Sequence, residues 1–205
     1  MKLDSEQIEG WNRECERAWR CDTHLLLVGT TNLGDPDTAF RQLQKYCPPP
    51  ATVLDVGCGI GKHIAGFIKS GYICNGIEQS PLGVEYAQRI NPTANITCMR
   101  IQQLNVENKY DMIHTSGVLQ HNLNHRKPEI LKVLRRALKP SGFLFITENT
   151  ITDKNIQTYG GKYYDELTDG YSFTEKGWIK LMKQHGFKHV FTIFPWPYYL
   201  FKLSK

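Results

Sequence analysis

One short stretch, residues 51–63, constrains the fold more than any other part of the chain. It is an apolar run rich in β-branched residues, followed by three glycines and then a helix-compatible pattern. The apolar run suits a strand that is buried on both faces, as in a parallel sheet. Gly57, Gly59 and Gly61 let the backbone turn sharply and approach a ligand, and the next helix points its unpaired N–H groups over the turn. The stretch therefore predicts a strand, a tight turn and a helix that bind negative charge or hydroxyl groups.

The spacing of these glycines separates the turn from two familiar phosphate-binding motifs. A dinucleotide-binding G-x-G-x-x-G turn needs a third glycine at the position of Lys62, and no G-x-x-x-x-G-K-[ST] motif is present. A second apolar segment, 72–78, ends in an acid about 20 residues beyond the glycines, the spacing at which a carboxylate meets the hydroxyls of a ribose. We therefore expect Glu78 to accept hydrogen bonds from a ribose diol.

Four segments together carry a resemblance to a known family. They are residues 53–61 (VLDVGCGIG), 76–80 (GIEQS), 110–114 (YDMIH) and 138–146 (LKPSGFLFI). In this order and at this spacing they resemble the successive motifs of the class I, Rossmann-like S-adenosylmethionine-dependent methyltransferases. The resemblance implies an enzyme that binds S-adenosylmethionine and releases S-adenosylhomocysteine. None of the four motifs identifies the methyl acceptor.

Strand-like and helix-like segments alternate after residue 51, which predicts a parallel sheet with helices on both faces. We expect strands near 51–57, 72–78, 95–101, 110–115 and 142–149, and helices near 61–70, 81–91 and 126–139. Two last strand-like segments, 187–194 and 198–203, are joined by three residues and must pair antiparallel. The resemblance implies that this hairpin completes a sheet of seven strands. The predicted fold class is therefore α/β: a doubly wound, mostly parallel seven-stranded sheet with a C-terminal antiparallel hairpin.

The 205 residues, 40% of them hydrophobic, are predicted to form a single methyltransferase domain. Residues 1–50 contain two helix-like segments that resemble the N-terminal helical lid of small methyltransferases. Such a lid closes the cofactor site, although packing without any contact to a ligand stays open as an alternative. Residues 51–150 are the expected cofactor-binding core. Residues 151–205 are the expected acceptor-side insertion and the terminal hairpin.

Composition narrows the partners of the chain. Six cysteines without C-x-x-C pairing favour free thiols, so neither a metal site nor a disulfide framework is predicted. The net charge of +5 is mild, and the basic residues within 132–139 are most simply the solvated face of an amphipathic helix, which argues against a nucleic-acid partner. The sequence has no long apolar run and no secretory signal, so we expect a cytoplasmic protein without a membrane partner. Composition does not indicate the oligomeric state.

The cofactor is expected at the carboxyl ends of the strands, where ligands bind in open α/β sheets. By the resemblance, the glycine turn faces the amino-acid part of the cofactor, Asp55 approaches its amine directly or through water, Glu78 holds the ribose and Gln79 flanks the adenine. The family often has an Asp near the adenine amine after the third strand, whereas this chain has Gln102 and Gln103. The expected cofactor-binding residues are Asp55, Gly57, Cys58, Gly59, Gly61, Glu78, Gln79, Ile101, Gln102 and Gln103.

His121 and Glu148 are the candidate catalytic residues. A sulfonium is already an activated methyl donor, so catalysis needs mainly an aligned acceptor and removal of its proton. His121 aligns with a histidine common in the family segment that runs under the transferred methyl group. The unperturbed pKa of a histidine suits a base near neutral pH. Glu148, at the end of the fifth strand, could orient a hydroxyl or attract an amine. A structural histidine and a carboxylate bound to local backbone are the alternatives.

The acceptor is predicted to be a small molecule, methylated at oxygen rather than nitrogen. The tetrapeptide [DN]-P-P-[YF], which holds planar amino groups in related enzymes, is absent, and Ser-Gly-Val-Leu occupies its place at 116–119. The aromatic residues and glycines of the insertion at 150–171 suit a wall over a small polar or sugar-like acceptor. A protein N-terminal amine, a nucleic acid, and a subunit that binds S-adenosylmethionine without catalysis stay open as alternatives.

Overall fold

The computed structural model of the chain describes residues 2–26, 36–122, 124–148, 150, 174–193 and 198–204. The helices are α1 (Lys2–Leu26), α2 (Pro36–Gln44), α3 (Lys62–Lys69), α4 (Pro81–Ile90), α5 (Lys127–Ala137) and α6 (Glu175–Gln184). The strands are β1 (Thr52–Val56), β2 (Ile73–Glu78), β3 (Ile96–Cys98), β4 (Tyr110–Ser116), β5 (Leu138–Thr147), β6 (Phe187–Ile193) and β7 (Tyr198–Leu203). Three 3₁₀ turns cover Ile101–Gln103, Leu119–His121 and Asn124–Arg126.

The seven strands form one sheet in the order β3-β2-β1-β4-β5-β7-β6. The first five strands pair parallel, and β7 runs antiparallel to both β5 and β6. This topology confirms the predicted fold class, including the C-terminal antiparallel pair. The strand order reverses between β1 and β4, and in open α/β sheets ligands bind beside such a switch point. The fold therefore points to the carboxyl ends of β1 and β4 as the place for a site.

Two strand boundaries differ by three residues or more from those predicted. The third strand ends at Cys98 and not near 101, because residues 101–103 form a 3₁₀ turn in which the Gln103 side chain accepts a hydrogen bond from the Arg100 amide at 2.8 Å. The fifth strand begins at Leu138 and not near 142, and it passes through Ser141 in a left-handed conformation (φ 64°). A proline and a glycine beside this residue look like a turn in sequence, whereas pairing with β4 continues across an irregularity in register.

The core consists of two apolar clusters, one on each face of the sheet. Leu54 and Val56 of β1 pack with α5 and α6, including the fully buried Trp178. Val53 packs on the opposite face with α2, α3 and α4, including Phe67. Because successive side chains of a strand point to opposite faces, Asp55 shares the face of α3.

Helix α1 lies against α4. The Ser80 hydroxyl at the start of α4 donates to Asn12 Oδ1 at 2.6 Å, and the Trp19 ring stacks on Tyr86 with centroids 4.3 Å apart. Ser80 also caps α4, because its Oγ accepts from the Gly83 amide at 2.9 Å. These contacts place α1 over the carboxyl end of β2.

No helix in the described part of the chain is both long and apolar enough to cross a bilayer. Apart from Thr150, the insertion expected at 150–171 lies outside the described residues, as do the three residues that join the last two strands.

Candidate functional site

A cavity of about 640 Å³ opens at the carboxyl ends of β1, β2 and β4. Its walls come from α1, the glycine turn, the end of β2, the 3₁₀ turn after β3 and the segment after β4. Seven of the residues predicted for the site line this cavity: Gly57, Glu78, Gln79, Ile101, Gln102, Gln103 and His121. The structure therefore brings the predicted ribose, adenine and base positions to one shared space.

The glycine turn and Glu78 form one hydrogen-bonded unit. Glu78 Oε2 accepts from the Gly59 amide at 3.0 Å, and Oε1 accepts from the Ser80 amide at 2.8 Å. Burial raises the pKa of Glu78 above its usual value, while these backbone amides act in the opposite direction. A carboxylate has about four acceptor positions, so Glu78 retains acceptor capacity for a ligand hydroxyl.

The glycines of the turn are required by conformation and by space. Gly57, Gly59 and Gly61 all have positive φ, between 54° and 84°. A Cβ at Gly57 would lie 2.5 Å from Cγ2 of Val118, and a Cβ at Gly61 would lie 2.5 Å from Nδ2 of Asn91. The Asn91 side chain donates to the Gly61 carbonyl at 2.9 Å, so the end of α4 holds the far side of the turn.

The two glutamines after β3 have different freedom. The Gln103 oxygen accepts from the Arg100 amide within its own turn. The Gln102 side chain is exposed and lines the cavity. Unlike Gln103, it does not accept a hydrogen bond from the Arg100 amide of its own turn. Gln102 is therefore the better placed of the two to meet a ligand.

Five predicted site residues do not line the cavity: Asp55, Cys58, Gly59, Gly61 and Glu148. The carboxylate of Asp55 is buried on the α3 side of the sheet, where Oδ1 lies 2.7 Å from Nδ1 of His114. Burial, and then the charge of Asp55, raises the pKa of the Cys58 thiol well above its usual value. A buried, protonated thiol fits the interpretation of Cys58 as a small side chain that fills the turn.

Glu148 lies beneath the segment that follows β4. It is 2% exposed, and its Oε1 accepts from the Thr115 hydroxyl at 3.2 Å and from the Val118 and Leu119 amides at 3.2 and 3.0 Å. Its Oε2 accepts from the Gln120 amide at 2.9 Å. Burial raises the pKa of Glu148 to about 7, against the opposing effect of these donors. The geometry matches the alternative in which this carboxylate binds local backbone.

His121 lies at the end of the segment that Glu148 holds. Its ring packs edge-on against the Trp11 indole, with centroids 5.1 Å apart, and both side chains line the cavity. Burial lowers the pKa of His121 below its usual value, with Glu14 acting in the opposite direction. A lowered pKa favours the neutral imidazole, which is the form that can accept a proton.

Sequence reasoning misses two features of this region. In sequence, Trp11 is an apolar position of a helix and not a cavity residue, because helical periodicity does not show which face meets a ligand. The second feature is a cluster of Asp55, His63 and His114, whose ligand atoms all lie within 4.8 Å of one another. Its members come from three elements and have no motif spacing. Burial, followed by His114, lowers the pKa of His63 to about 4.

Comparison with known proteins places the chain in a family. A family model described as a methyltransferase domain matches residues 34–191. The chain belongs to this methyltransferase family. An uncharacterized protein of Rickettsia prowazekii is 31% identical over 123 residues, which cover 54% of this chain and 48% of that protein. A tRNA U34 carboxymethyltransferase of Pseudoalteromonas atlantica is 28% identical over 147 residues, which cover 67% of this chain and 45% of that protein. The chain thus spans about half the length of these curated relatives.

Solved structures show the same fold. The 1,6-didemethyltoxoflavin-N1-methyltransferase of Burkholderia thailandensis, with bound 1,6-didemethyltoxoflavin and S-adenosylhomocysteine, aligns with a TM-score of 0.69 at 17% identity. The alignment covers 99% of this methyltransferase-family chain and 88% of the other. Family and fold together confirm the class that the sequence predicted, a Rossmann-like S-adenosylmethionine-dependent methyltransferase domain.

Proposed function

We propose that this chain transfers the methyl group of S-adenosylmethionine to a small-molecule acceptor, at an oxygen atom. The observation that carries the proposal is that one cavity has Glu78 in one part of its wall and the imidazole of His121 in another. Its volume of about 640 Å³ falls in the range of roughly 300–1,000 Å³ that is usual for small-ligand pockets.

The residues at the Glu78 end fit the cofactor. The free acceptor capacity of Glu78 suits a ribose hydroxyl, and Gln102 offers both a donor and an acceptor to the edge of the adenine. The turn at Gly57 brings backbone to the cavity without a side chain, which suits the amino-acid part of the cofactor. Asp55 lies outside this arrangement, since its carboxylate is buried beside His114.

The residues at the other end fit proton removal from an acceptor. When bound, S-adenosylmethionine supplies an electrophilic methyl group on sulfur. His121 takes the acceptor's hydroxyl proton as the oxygen forms its bond to the methyl carbon and the carbon–sulfur bond breaks. Trp11 packs on the imidazole and limits its motion. Glu148 is a positioning residue in this proposal, because it holds the backbone of residues 118–120 beneath His121.

An oxygen acceptor explains the need for a base. A neutral amine has a free lone pair and can attack before it loses a proton, whereas a hydroxyl is a poor nucleophile until its proton is removed. The small-molecule class is supported by the Burkholderia neighbour, which is named for methylation of 1,6-didemethyltoxoflavin. That neighbour acts at a nitrogen, so the atom methylated must be tested directly.

Transfer to RNA is the second candidate. The Pseudoalteromonas relative is named for a modification of tRNA, and Arg100 and Arg126 line the cavity. Contacts to phosphates from such residues would make binding strongly dependent on salt.

The test is transfer from S-adenosylmethionine carrying a labelled methyl group. The purified chain is incubated in parallel with a small-metabolite extract and with total tRNA. The proposal expects label in the small-molecule fraction, lost when His121→Ala replaces the wild type, and fragment masses that place the methyl on oxygen. Label confined to tRNA supports the second candidate. Label on nitrogen overturns the oxygen assignment, and cofactor binding without any transfer overturns the enzymatic proposal.

A further inference from the structure

A polar cluster lies behind the glycine turn, on the opposite face of β1 from the cavity residue Val56. Strands β1 and β4 are neighbours whose register pairs Asp55 with His114, so both side chains leave the sheet on the same face. Helix α3 packs on that face and contributes His63 from its second position. The imidazole rings of His63 and His114 have centroids 4.6 Å apart.

The cluster leaves strong lone-pair donors buried without partners. Asp55 is 1% exposed and His114 is fully buried. Oδ1 of Asp55 lies 2.7 Å from Nδ1 of His114, but Asp55 Oδ2 and His114 Nε2 have no hydrogen-bond partner among the described residues. Buried polar groups in native proteins nearly always have a partner. Two unpaired atoms of this kind in a single cluster indicate that it accommodates something further.

The geometry points to a binding site for a divalent transition-metal ion of the zinc type, held by Asp55, His63 and His114. One ligand atom from each residue lies within 4.8 Å of the other two. Ligands around tetrahedral zinc, with bonds of about 2.0–2.1 Å, lie about 3.4 Å apart, so modest side-chain rotation closes the cluster around an ion. Two imidazoles and a carboxylate are common zinc ligands.

The surroundings allow an ion to be held. His63 is half-buried, unlike its two partners, so it is the member of the cluster that lies nearest to solvent. Aromatic rings surround His114: Phe67 lies 5.3 Å from it and Phe145 lies 5.5 Å from it, measured between centroids. Apolar packing of this kind excludes water from two of the three ligands and restricts the orientation of the imidazole.

The position of the site gives it a role. Asp55 lies two residues before Gly57 and His63 lies two residues after Gly61, so a shared ion ties the two ends of the turn together. The three residues do not line the cavity, which makes the ion structural and not a participant in methyl transfer. Its expected effects are a more stable fold and a turn held ready for the cofactor.

Zinc binding by the purified full chain tests the site. After treatment with a chelator, the chain is titrated with Zn²⁺ against a chromophoric competitor, and thermal unfolding is measured with and without the metal. The variant is His63→Gln, which leaves the Asp55–His114 pair in place. The matched control is His185→Gln, at the C-terminal end of α6 and outside the cluster. Far-UV circular dichroism checks that both variants fold.

We expect one zinc per wild-type chain and an upward shift of the unfolding midpoint on binding. His63→Gln should weaken zinc affinity at least about 100-fold, because loss of a direct ligand exceeds the 10–100-fold effect of an outer partner. His185→Gln should bind as the wild type does. Cobalt substituted for zinc should give visible absorption typical of tetrahedral coordination in the wild type and the control.

Three outcomes overturn the proposal. The first is that a folded wild-type chain retains no stoichiometric zinc, in which case the cluster is a hydrogen-bonded trio without a metal. The second is that His63→Gln binds zinc as tightly as the wild type. The third is that both histidine variants lose affinity equally, which indicates binding to scattered surface histidines.

Discussion

Replacing Glu78 with glutamine tests the proposed binding of the cofactor's ribose by this side chain. The change keeps the size of the side chain and removes its charge. In the wild type each carboxylate oxygen accepts one backbone amide, from Gly59 and from Ser80. In Glu78→Gln, one of these N–H groups must face the new NH₂ group, and the remaining oxygen is a neutral acceptor. The variant therefore weakens both the contact with the ribose and the hold on the glycine turn.

The size of the effect follows from these contacts. A hydrogen bond to a charged group contributes about 1.5–3 kcal/mol and one between neutral groups about 0.5–1.5 kcal/mol. Loss of charge at one or two ribose contacts therefore costs about 1–3 kcal/mol, equivalent to a roughly 5- to 150-fold increase in the Kd for S-adenosylmethionine. The unpaired backbone amide adds a loss of about 1–3 kcal/mol in the free energy of unfolding.

Isothermal calorimetry with S-adenosylmethionine measures the first quantity, and chemical denaturation without cofactor measures the second. Glu85→Gln is the matched control, because Glu85 is an exposed residue of α4 paired with Arg89. The control should change the Kd less than about twofold, as expected when an exposed pair contributes only about 0–1 kcal/mol. An unchanged Kd in a folded Glu78→Gln variant would refute the assignment of Glu78 to the ribose.

Three further predictions concern the rest of the site. His121→Ala should lower the rate of single-turnover methyl transfer by about 100-fold or more while changing cofactor affinity little. The control is His125→Ala, because His125 is exposed. Equal rates in the two variants would exclude His121 as the base. Trp11→Ala should raise the KM for the acceptor, because Trp11 lines the cavity. Trp19→Ala should not raise it, because the Trp19 side chain packs on Tyr86 of α4. Equal effects on KM would show that α1 contributes packing and no acceptor contact. Folding raises the pKa of Glu148 from 4.5 to about 7, so its contribution to stability is complete below pH 4.5 and is lost as the pH rises through 7, by up to about 3 kcal/mol. Glu148→Gln should remove that part of the pH dependence in unfolding measured from pH 5 to 8, and an unchanged profile would contradict it.

The part of the site that could be predicted from sequence is the part encoded by local spacing. Glycines that need positive φ and an acid at the end of the next strand have fixed separations, so the amino-acid order alone places the turn and Glu78 side by side. The alternation of strands and helices follows in the same way from apolar runs and their connections, whereas the joining of all seven strands in one sheet comes from the resemblance to the methyltransferase family. The exact ends of β5 do not, because pairing with β4 overrides the turn preference around Ser141.

The rest of the site depends on contacts between distant segments. The sequence indicates Glu148 as a residue near the chemistry, but its hydrogen bonds to the segment after β4 depend on how two strands end side by side. The position of Trp11 depends on how α1 docks on α4. The cluster of Asp55, His63 and His114 depends on the register of β1 with β4. No sequence pattern encodes any of these three arrangements.

The docking of α1 separates two tasks within one cavity. In the proposed function, cofactor contacts come from the sheet and its turns, whereas Trp11 lies on a helix that also packs against the start and the side of α4. In the proposed function, substitution of Trp11 therefore changes which molecules are accepted, whereas substitution of Asn12 also disturbs Ser80, whose amide binds Glu78. A family that varies this helix can diversify its chemistry by local replacement, and the same helix is the natural place to begin engineering a new acceptor preference.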